Sequence, residues 1–142
     1  MGYRSSRRPR KFYQQQVTQV LALLDNYFRE DQLPLETYLS MCEQLGKEPD
    51  LDEIPPDLDD FPMELQEAFM VHHLLPDRWD GSSGSYLGKD WSALEMLLTE
   101  LEIVERRQCI LFIKHIEARN SNKINKELAR ERKKAENKAK RR

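Results

Sequence analysis

The chain has 142 residues, which is enough for one hydrophobic core but not for two independent ones. It contains no apolar run near the roughly 20 residues needed to cross a bilayer, and its basic N-terminus lacks the uncharged stretch of a secretory signal. These features argue against a secreted or membrane-inserted protein. Cys42 and Cys109, each within an apolar helical pattern, are typical of reduced thiols inside the cell.

The net charge of -2 is an average over three segments of opposite sign. Residues 1–11 carry five bases and no acid, residues 25–105 carry 21 acids and four bases, and residues 106–142 carry 14 bases and four acids. Both ends therefore favour an anionic partner such as nucleic acid or an acidic protein, whereas the middle repels one. An alternative is that the ends fold back on the acidic middle.

The first part of the chain predicts a basic tail, two helices and an acidic connection. Residues 1–11 are the tail, and apolar positions at helical spacing over residues 12–31 predict the first helix. Pro34 suits the first turn of a second helix and Gly46 suits its end. Residues 47–62 contain four prolines and seven acids, which predict an extended acidic connection.

The second part predicts further helices separated by a glycine-rich loop. Pro62 can start a third helix, which Pro76 ends. Residues 77–89 contain three of the five glycines and predict a loop between helices. Three apolar residues of this loop are expected to face inward: Trp79, Tyr86 and Leu87.

A fourth helix follows, with either Asp90 or a capping box of Ser92 and Glu95 at its start. The last helix begins apolar and becomes basic, so residues 121–142 have high helix propensity but little to bury, and we expect them to fray or to project. The pattern predicts an all-α fold: one bundle of about five helices over residues 12–120, with a basic, partly projecting C-terminal helix or tail.

No residue set predicts catalysis, a metal site or a cofactor. His72 and His73 are adjacent on a helix and point about 100° apart, so they cannot ligate one ion from the same face. The acid pair Asp59 and Asp60 lies in a proline-rich run expected to be solvated, whereas catalytic carboxylates need burial beside a pocket. The glycine-rich residues 81–90 do not match the spacing of a phosphate-binding loop. We therefore expect a binding protein and not an enzyme.

The basic termini are the strongest functional signal, because each can neutralise several phosphates in a salt-dependent way. Few aromatic residues are interleaved among these basic residues, so the termini are not expected to recognise particular nucleobases. The candidate nucleic-acid-binding residues are Arg4, Arg7, Arg8, Arg10, Lys11, Lys133, Lys134, Lys138, Lys140, Arg141 and Arg142.

Residues 55–103 have the order of an acidic proline-rich lead, a helix EAFMVHHLLPDRW, a turn GSSGSYLGKDWSAL and a leucine-rich helix EMLLTELEI. The residues that stand out in this order are Gly81, Gly84, Asp90, Trp91, Ala93 and Leu94. The pattern resembles the tail-assembly chaperones of lambda-type bacteriophages. It implies a phage protein of the host cytoplasm that binds another phage structural or assembly protein.

Two functions are therefore expected from the sequence. The first is an assembly chaperone or adaptor that binds a helical partner through Trp79, Tyr86, Leu87, Trp91 and Leu98. The second is a nucleic-acid-associated phage protein, such as a small packaging subunit or a transcription factor, that grips phosphates through the basic termini. Neither function requires a membrane, and both leave a homo-oligomer open.

Overall fold

The computed structural model describes residues 10–29, 33–50, 53–54 and 56–142, with side chains from residue 15 onward. This part of the chain forms five α-helices and one short β-hairpin. The helices are α1 (Arg10–Tyr27), α2 (Leu35–Leu45), α3 (Met63–Leu74), α4 (Leu94–Glu100) and α5 (Arg106–Lys140), and the strands are β1 (Asp77–Trp79) and β2 (Tyr86–Lys89). The predicted, predominantly helical fold is confirmed.

The chain divides into two compact units, residues 1–57 and residues 58–142. The sequence predicted one helical domain over residues 12–120, whereas the observed division falls inside the acidic connection. The proline-rich composition of that connection accounts for the break, because it prevents a helix from running through it.

The first unit contains α1 and α2. Pro34 precedes α2, and Gly46 closes it with a left-handed φ of 65°. The N–H of Lys47 donates to the carbonyl oxygen of Cys42 at 3.0 Å, which completes the helix-ending hydrogen bonds that such a glycine allows. The predicted end at Gly46 is therefore confirmed, and the helix begins one residue after the predicted start at Pro34.

The core of the second unit forms where α3 packs against the first part of α5. Apolar side chains at helical spacing on both helices meet there, and α4 and β2 add one buried apolar side chain each. The buried apolar residues from these four elements are Leu65, Ala68, Val71, Cys109, Phe112, Ile113, Ile116, Leu98 and Tyr86.

The two cysteines are buried free thiols, as the sequence predicted. Burial raises the pKa of the Cys109 thiol to about 11. The reactive thiolate is therefore scarce at neutral pH, and Cys109 acts as a packing residue of the core.

The end of α4 uses the same backbone geometry as the end of α2, but without a glycine. Glu102 has a φ of 53°, and the N–H of Ile103 donates to the carbonyl oxygen of Leu98 at 3.0 Å. This turn buries Ile103 and sets the direction in which α5 begins.

The segment predicted to be a glycine-rich loop is a two-stranded antiparallel hairpin. Asp77 lies opposite Lys89, and a bulge interrupts the pairing after Arg78. In the turn, the Asp80 carboxylate accepts hydrogen bonds from the backbone N–H groups of Ser82 and Ser83. Strands of three and four residues are too short to show an alternating pattern in the sequence, which is why the prediction missed them.

The last helix, α5, continues without interruption over 35 residues, or about 52 Å. We expected the part beyond residue 120 to fray or to extend alone. The helix does not fray there, because Asn125 and Arg132 bond it to the hairpin. Residues 133–142 project as an exposed end, as predicted. Across the described helices, none combines the length and apolar character required to cross a membrane.

Candidate nucleic-acid interface

Glu117, on one side of α5, fixes the end of the hairpin. Its carboxylate accepts a hydrogen bond from the backbone N–H of Lys89 at 2.8 Å and one from Trp91 Nε1 at 2.6 Å. Gly88 allows this approach, because a Cβ added there would lie 2.8 Å from Glu117 Oε1. Its φ of 93° is also a conformation that other residues rarely adopt. Strand β2 thus needs a glycine where it crosses the carboxylate.

Two further side chains of α5 hold the rest of the hairpin. Asn125 accepts a hydrogen bond from the Tyr86 N–H and donates one to the Tyr86 carbonyl oxygen, both at 3.0 Å. Two turns further on, Arg132 donates to the carbonyl oxygen of Ser83 in the hairpin turn. With Glu117, these residues form what we call the hairpin face of α5. They take the place of a neighbouring strand on the edge of β2 that does not pair with β1.

A polar cluster lies where the hairpin meets α3. Tyr86 donates its hydroxyl proton to Asp77 at 2.7 Å, and Lys89 Nζ lies 2.9 Å from the same carboxylate oxygen. These two hydrogen bonds lower the pKa of Asp77, and burial raises the pKa of Tyr86. His72 Nε2 is buried, has no hydrogen-bond partner and lies 3.8 Å from Glu117 Oε1.

The environment of His72 favours its neutral form. Burial lowers its pKa, and this outweighs the opposing attraction of the Glu117 carboxylate. Each oxygen of that carboxylate already accepts a hydrogen bond from the hairpin segment. The hydrogen bonds of the cluster therefore hold the hairpin against α5. Within the described residues, no three His, Cys, Asp or Glu side chains are placed to hold a metal ion.

The other side of α5 carries a continuous row of basic residues. Successive side chains turn by about 100° around an α-helix. Between residues 119 and 141, one sector of roughly 120° lies on the side of α5 away from the hairpin face. Every residue in this sector is Arg, Lys or Asn. Its eight bases, which we call the basic stripe, are Arg119, Lys123, Lys126, Arg130, Lys133, Lys134, Lys140 and Arg141.

The basic stripe concentrates positive charge at the surface. All of its members except the half-buried Arg119 are exposed. Of the three acids of this part of the helix, Glu131 and Glu136 lie about 40° or more outside the sector, and Glu127 lies about 20° beyond its edge, by the same geometry. The field of this surface therefore attracts anions along the whole row.

The residues predicted to bind protein do not form one surface. Trp79 and Leu87 are about half exposed, at 52% and 53%, which corrects the expectation that they face inward. Tyr86 and Leu98 are buried at 3% each, and Trp91 is half-buried with its ring nitrogen bonded to Glu117. Two of the five candidates are thus accessible to a partner, and the others hold the fold.

The residues predicted to bind nucleic acid divide between the two ends of the chain. Arg4, Arg7 and Arg8 lie outside the described residues, and Arg10 and Lys11 begin α1, where side chains are not described. At the other end, four of the six predicted bases belong to the basic stripe: Lys133, Lys134, Lys140 and Arg141. Lys138 and Arg142 lie outside its sector.

The sequence prediction missed the inner half of the stripe. Arg119, Lys123, Lys126 and Arg130 precede the dense C-terminal cluster and were counted only in the charge of the segment. Their spacing of four, three and four residues is the signal that could have identified them, since such positions share one side of a helix.

Comparison with protein-family models, curated proteins and solved structures gave no match to this chain.

Proposed function

We propose that this protein is a non-enzymatic, nucleic-acid-associated protein that binds the phosphate backbone through the basic stripe of α5. The observation that carries the proposal is the placement of seven basic residues of α5 and its C-cap residue Arg141 along one side of the helix, with no acid among them. A row of this kind neutralises several phosphates at once and releases their counterions, which gives affinity that falls steeply with salt.

We expect this binding to be independent of the nucleotide sequence. Contacts from Lys and Arg to phosphates fix position and orientation, whereas base identity is read by side chains that reach the base edges. The stripe contains only Arg, Lys and Asn, and Phe112, the one Phe, Tyr or Trp in α5, is buried in the core. The acidic remainder of the second unit keeps nucleic acid on this side of the molecule by repulsion.

The test compares two charge-matched variants of the full chain. The stripe variant carries Lys123→Gln, Lys133→Gln, Lys134→Gln and Arg141→Gln, and the off-stripe variant carries Arg107→Gln, Lys114→Gln, Lys138→Gln and Arg142→Gln. All eight positions are exposed, and Gln has nearly the helix propensity of Lys and Arg. Binding to a mixed-sequence DNA is measured by fluorescence anisotropy at low salt.

The stripe variant is expected to bind at least about tenfold more weakly than the wild type, because it loses four phosphate contacts. The off-stripe variant should change by less than about threefold, because it removes the same charge from other sides of the helix. Equal losses in the two variants would mean that net charge alone drives binding. No binding by the wild type would refute the proposal.

A second candidate function is protein binding through the hairpin, as in an assembly adaptor. The observation that favours it is the exposure of Trp79 and Leu87, since large apolar side chains at a surface are common in protein interfaces. A role in phage tail assembly rests on the sequence resemblance over residues 55–103.

Co-expression with a long helical phage structural protein tests this second function. A Trp79→Ser, Leu87→Ser double variant should lose co-purification. Met96→Ser is the control, since it removes an apolar side chain of similar exposure (59%) from α4. Failure of the wild type to co-purify would count against the adaptor function and leaves the nucleic-acid function untouched.

A further inference from the structure

We infer that the basic stripe binds double-helical nucleic acid in preference to a single strand, an inference that rests on the function proposed above. Three observations support it: the straight shape of the stripe, its lack of stacking side chains, and the larger counterion release that each phosphate contact with a duplex gives. Each of them distinguishes a stiff duplex from a flexible strand.

The stripe is straight and about as long as one turn of a duplex. From Arg119 to Lys133 its bases advance by alternating steps of four and three residues, a pattern that drifts only about 20° around the helix in every seven residues. From Arg119 to Arg141 the helix rises about 33 Å. A duplex turn measures about 34–36 Å.

The hairpin braces the inner half of this row. Glu117, Asn125 and Arg132 bond the opposite side of the helix to the hairpin over four turns, and the stripe from Arg119 to Arg130 lies within that length. A duplex is also stiff, with a persistence length of about 150 base pairs. Two rigid partners lose little conformational freedom on binding, whereas a single strand must first be straightened along the rod.

The stripe lacks the side chains on which single-strand binding depends. Proteins that bind single strands combine a basic groove with aromatic residues on which bases stack, worth roughly 1–3 kcal/mol per base. The aromatic residues nearest in the fold are Trp79, Tyr86 and Trp91, and they lie on the hairpin side of α5. A single strand on the stripe would therefore bind by phosphates alone.

A duplex also offers more phosphates over the same length. It carries one charge per about 1.7 Å of axis and a single strand one per about 3.4 Å, or roughly 20 against 10 over the length of the stripe. Counterion release per contact is also larger for the duplex. Because either probe offers more phosphates than the stripe has basic residues, the gain from a duplex comes from the larger release per contact.

The experiment measures binding of the full-length protein to three probes of about 20 nucleotides or base pairs: duplex DNA, duplex RNA and an unstructured single-stranded DNA. The stripe and off-stripe variants are measured in parallel, at matched salt. We expect at least one duplex to bind about tenfold more tightly than the single strand, and we expect the stripe variant to remove this preference.

The results with the three probes distinguish this inference from the proposed function. Preference for either duplex supports the inference, and the comparison of DNA with RNA shows which helix geometry the stripe accepts. A single strand that binds as tightly as both duplexes overturns the inference while the proposed function stands. No binding to any of the three probes overturns both.

Discussion

The two sides of α5 use polar residues in opposite ways. On the hairpin face, Glu117, Asn125 and Arg132 form hydrogen bonds to the backbone or a side chain of the segment that runs from Ser83 to Trp91. On the basic stripe, positively charged side chains lie side by side at the surface. The composition of the helix does not distinguish these sides. The difference shows that position around a helix decides whether a charge serves the fold or a partner.

The largest expected effect comes from removing the carboxylate that anchors the hairpin. Glu117→Ala leaves the Lys89 N–H and Trp91 Nε1–H without their acceptor, and bonds to a charged group contribute roughly 1.5–3 kcal/mol each. The free energy of unfolding should fall by about 3 kcal/mol, measured by urea denaturation.

The control for this variant is Glu127→Ala, which removes an exposed acid from the same helix and should cost less than about 0.5 kcal/mol. Because Asn125 and Arg132 still bond the hairpin to α5 in this variant, folded Glu117→Ala should bind nucleic acid within about threefold of the wild type. Equal stability of Glu117→Ala and Glu127→Ala would contradict the anchoring role.

A smaller effect is expected where β2 crosses that carboxylate. Gly88→Ala places a Cβ 2.8 Å from Glu117 Oε1 and imposes a φ of 93° on a residue that avoids it. We expect a loss of about 2 kcal/mol in the free energy of unfolding. Gly81→Ala is the matched control, since nothing lies within 4 Å of its added Cβ and its φ is not in the positive range. A neutral Gly88→Ala would show that the hairpin is not held this close to α5.

The smallest expected effect is a pH dependence from His72. Its pKa is lowered in the folded state by burial, with Glu117, Lys89 and Asp77 as the charged groups that face it. The unfolded state, with a His pKa near 6.5, therefore binds the proton more readily. The stability that neutral His72 contributes is present above about pH 6.5 and is lost as pH falls toward the folded pKa.

Urea denaturation at pH 7, 6 and 5 measures this dependence. His72→Leu should make the decline in unfolding free energy between pH 7 and pH 5 shallower, whereas His73→Gln, at an exposed position, should leave it unchanged. Parallel declines in the wild type and His72→Leu would rule out His72 as the titrating group.

The helices could be predicted from the sequence where apolar spacing and end signals agreed. Pro34, Gly46 and Pro62 marked helix ends that the structure confirms. Asp90, which the sequence left as one of two alternatives, accepts the capping hydrogen bond from the Ser92 N–H at 3.0 Å. The hairpin could not be predicted, because its stability comes from Asn125 and Glu117, which lie 39 and 28 residues away from their partners in the sequence.

The candidate interface was predicted in part for a similar reason. Local charge density identified the C-terminal cluster, but the inner bases from Arg119 to Arg130 are interspersed with polar and apolar residues and become a row only on a continuous helix. Exposure could not be predicted either. Tyr86 and Leu87 are adjacent in the sequence, yet the first is buried and the second exposed, because neighbouring strand residues face opposite sides.

The comparison of the two sides of α5 is tested most directly by site-specific photo-crosslinking to duplex DNA. A photoreactive amino acid is placed at Asn137, within the sector of the basic stripe, or at Ala135, which lies on the same side as the hairpin face; both positions are exposed and two residues apart. We predict efficient crosslinking from position 137 and little from position 135. Equal crosslinking from both positions, or crosslinking from position 135 alone, would contradict the assignment of the stripe as the binding surface.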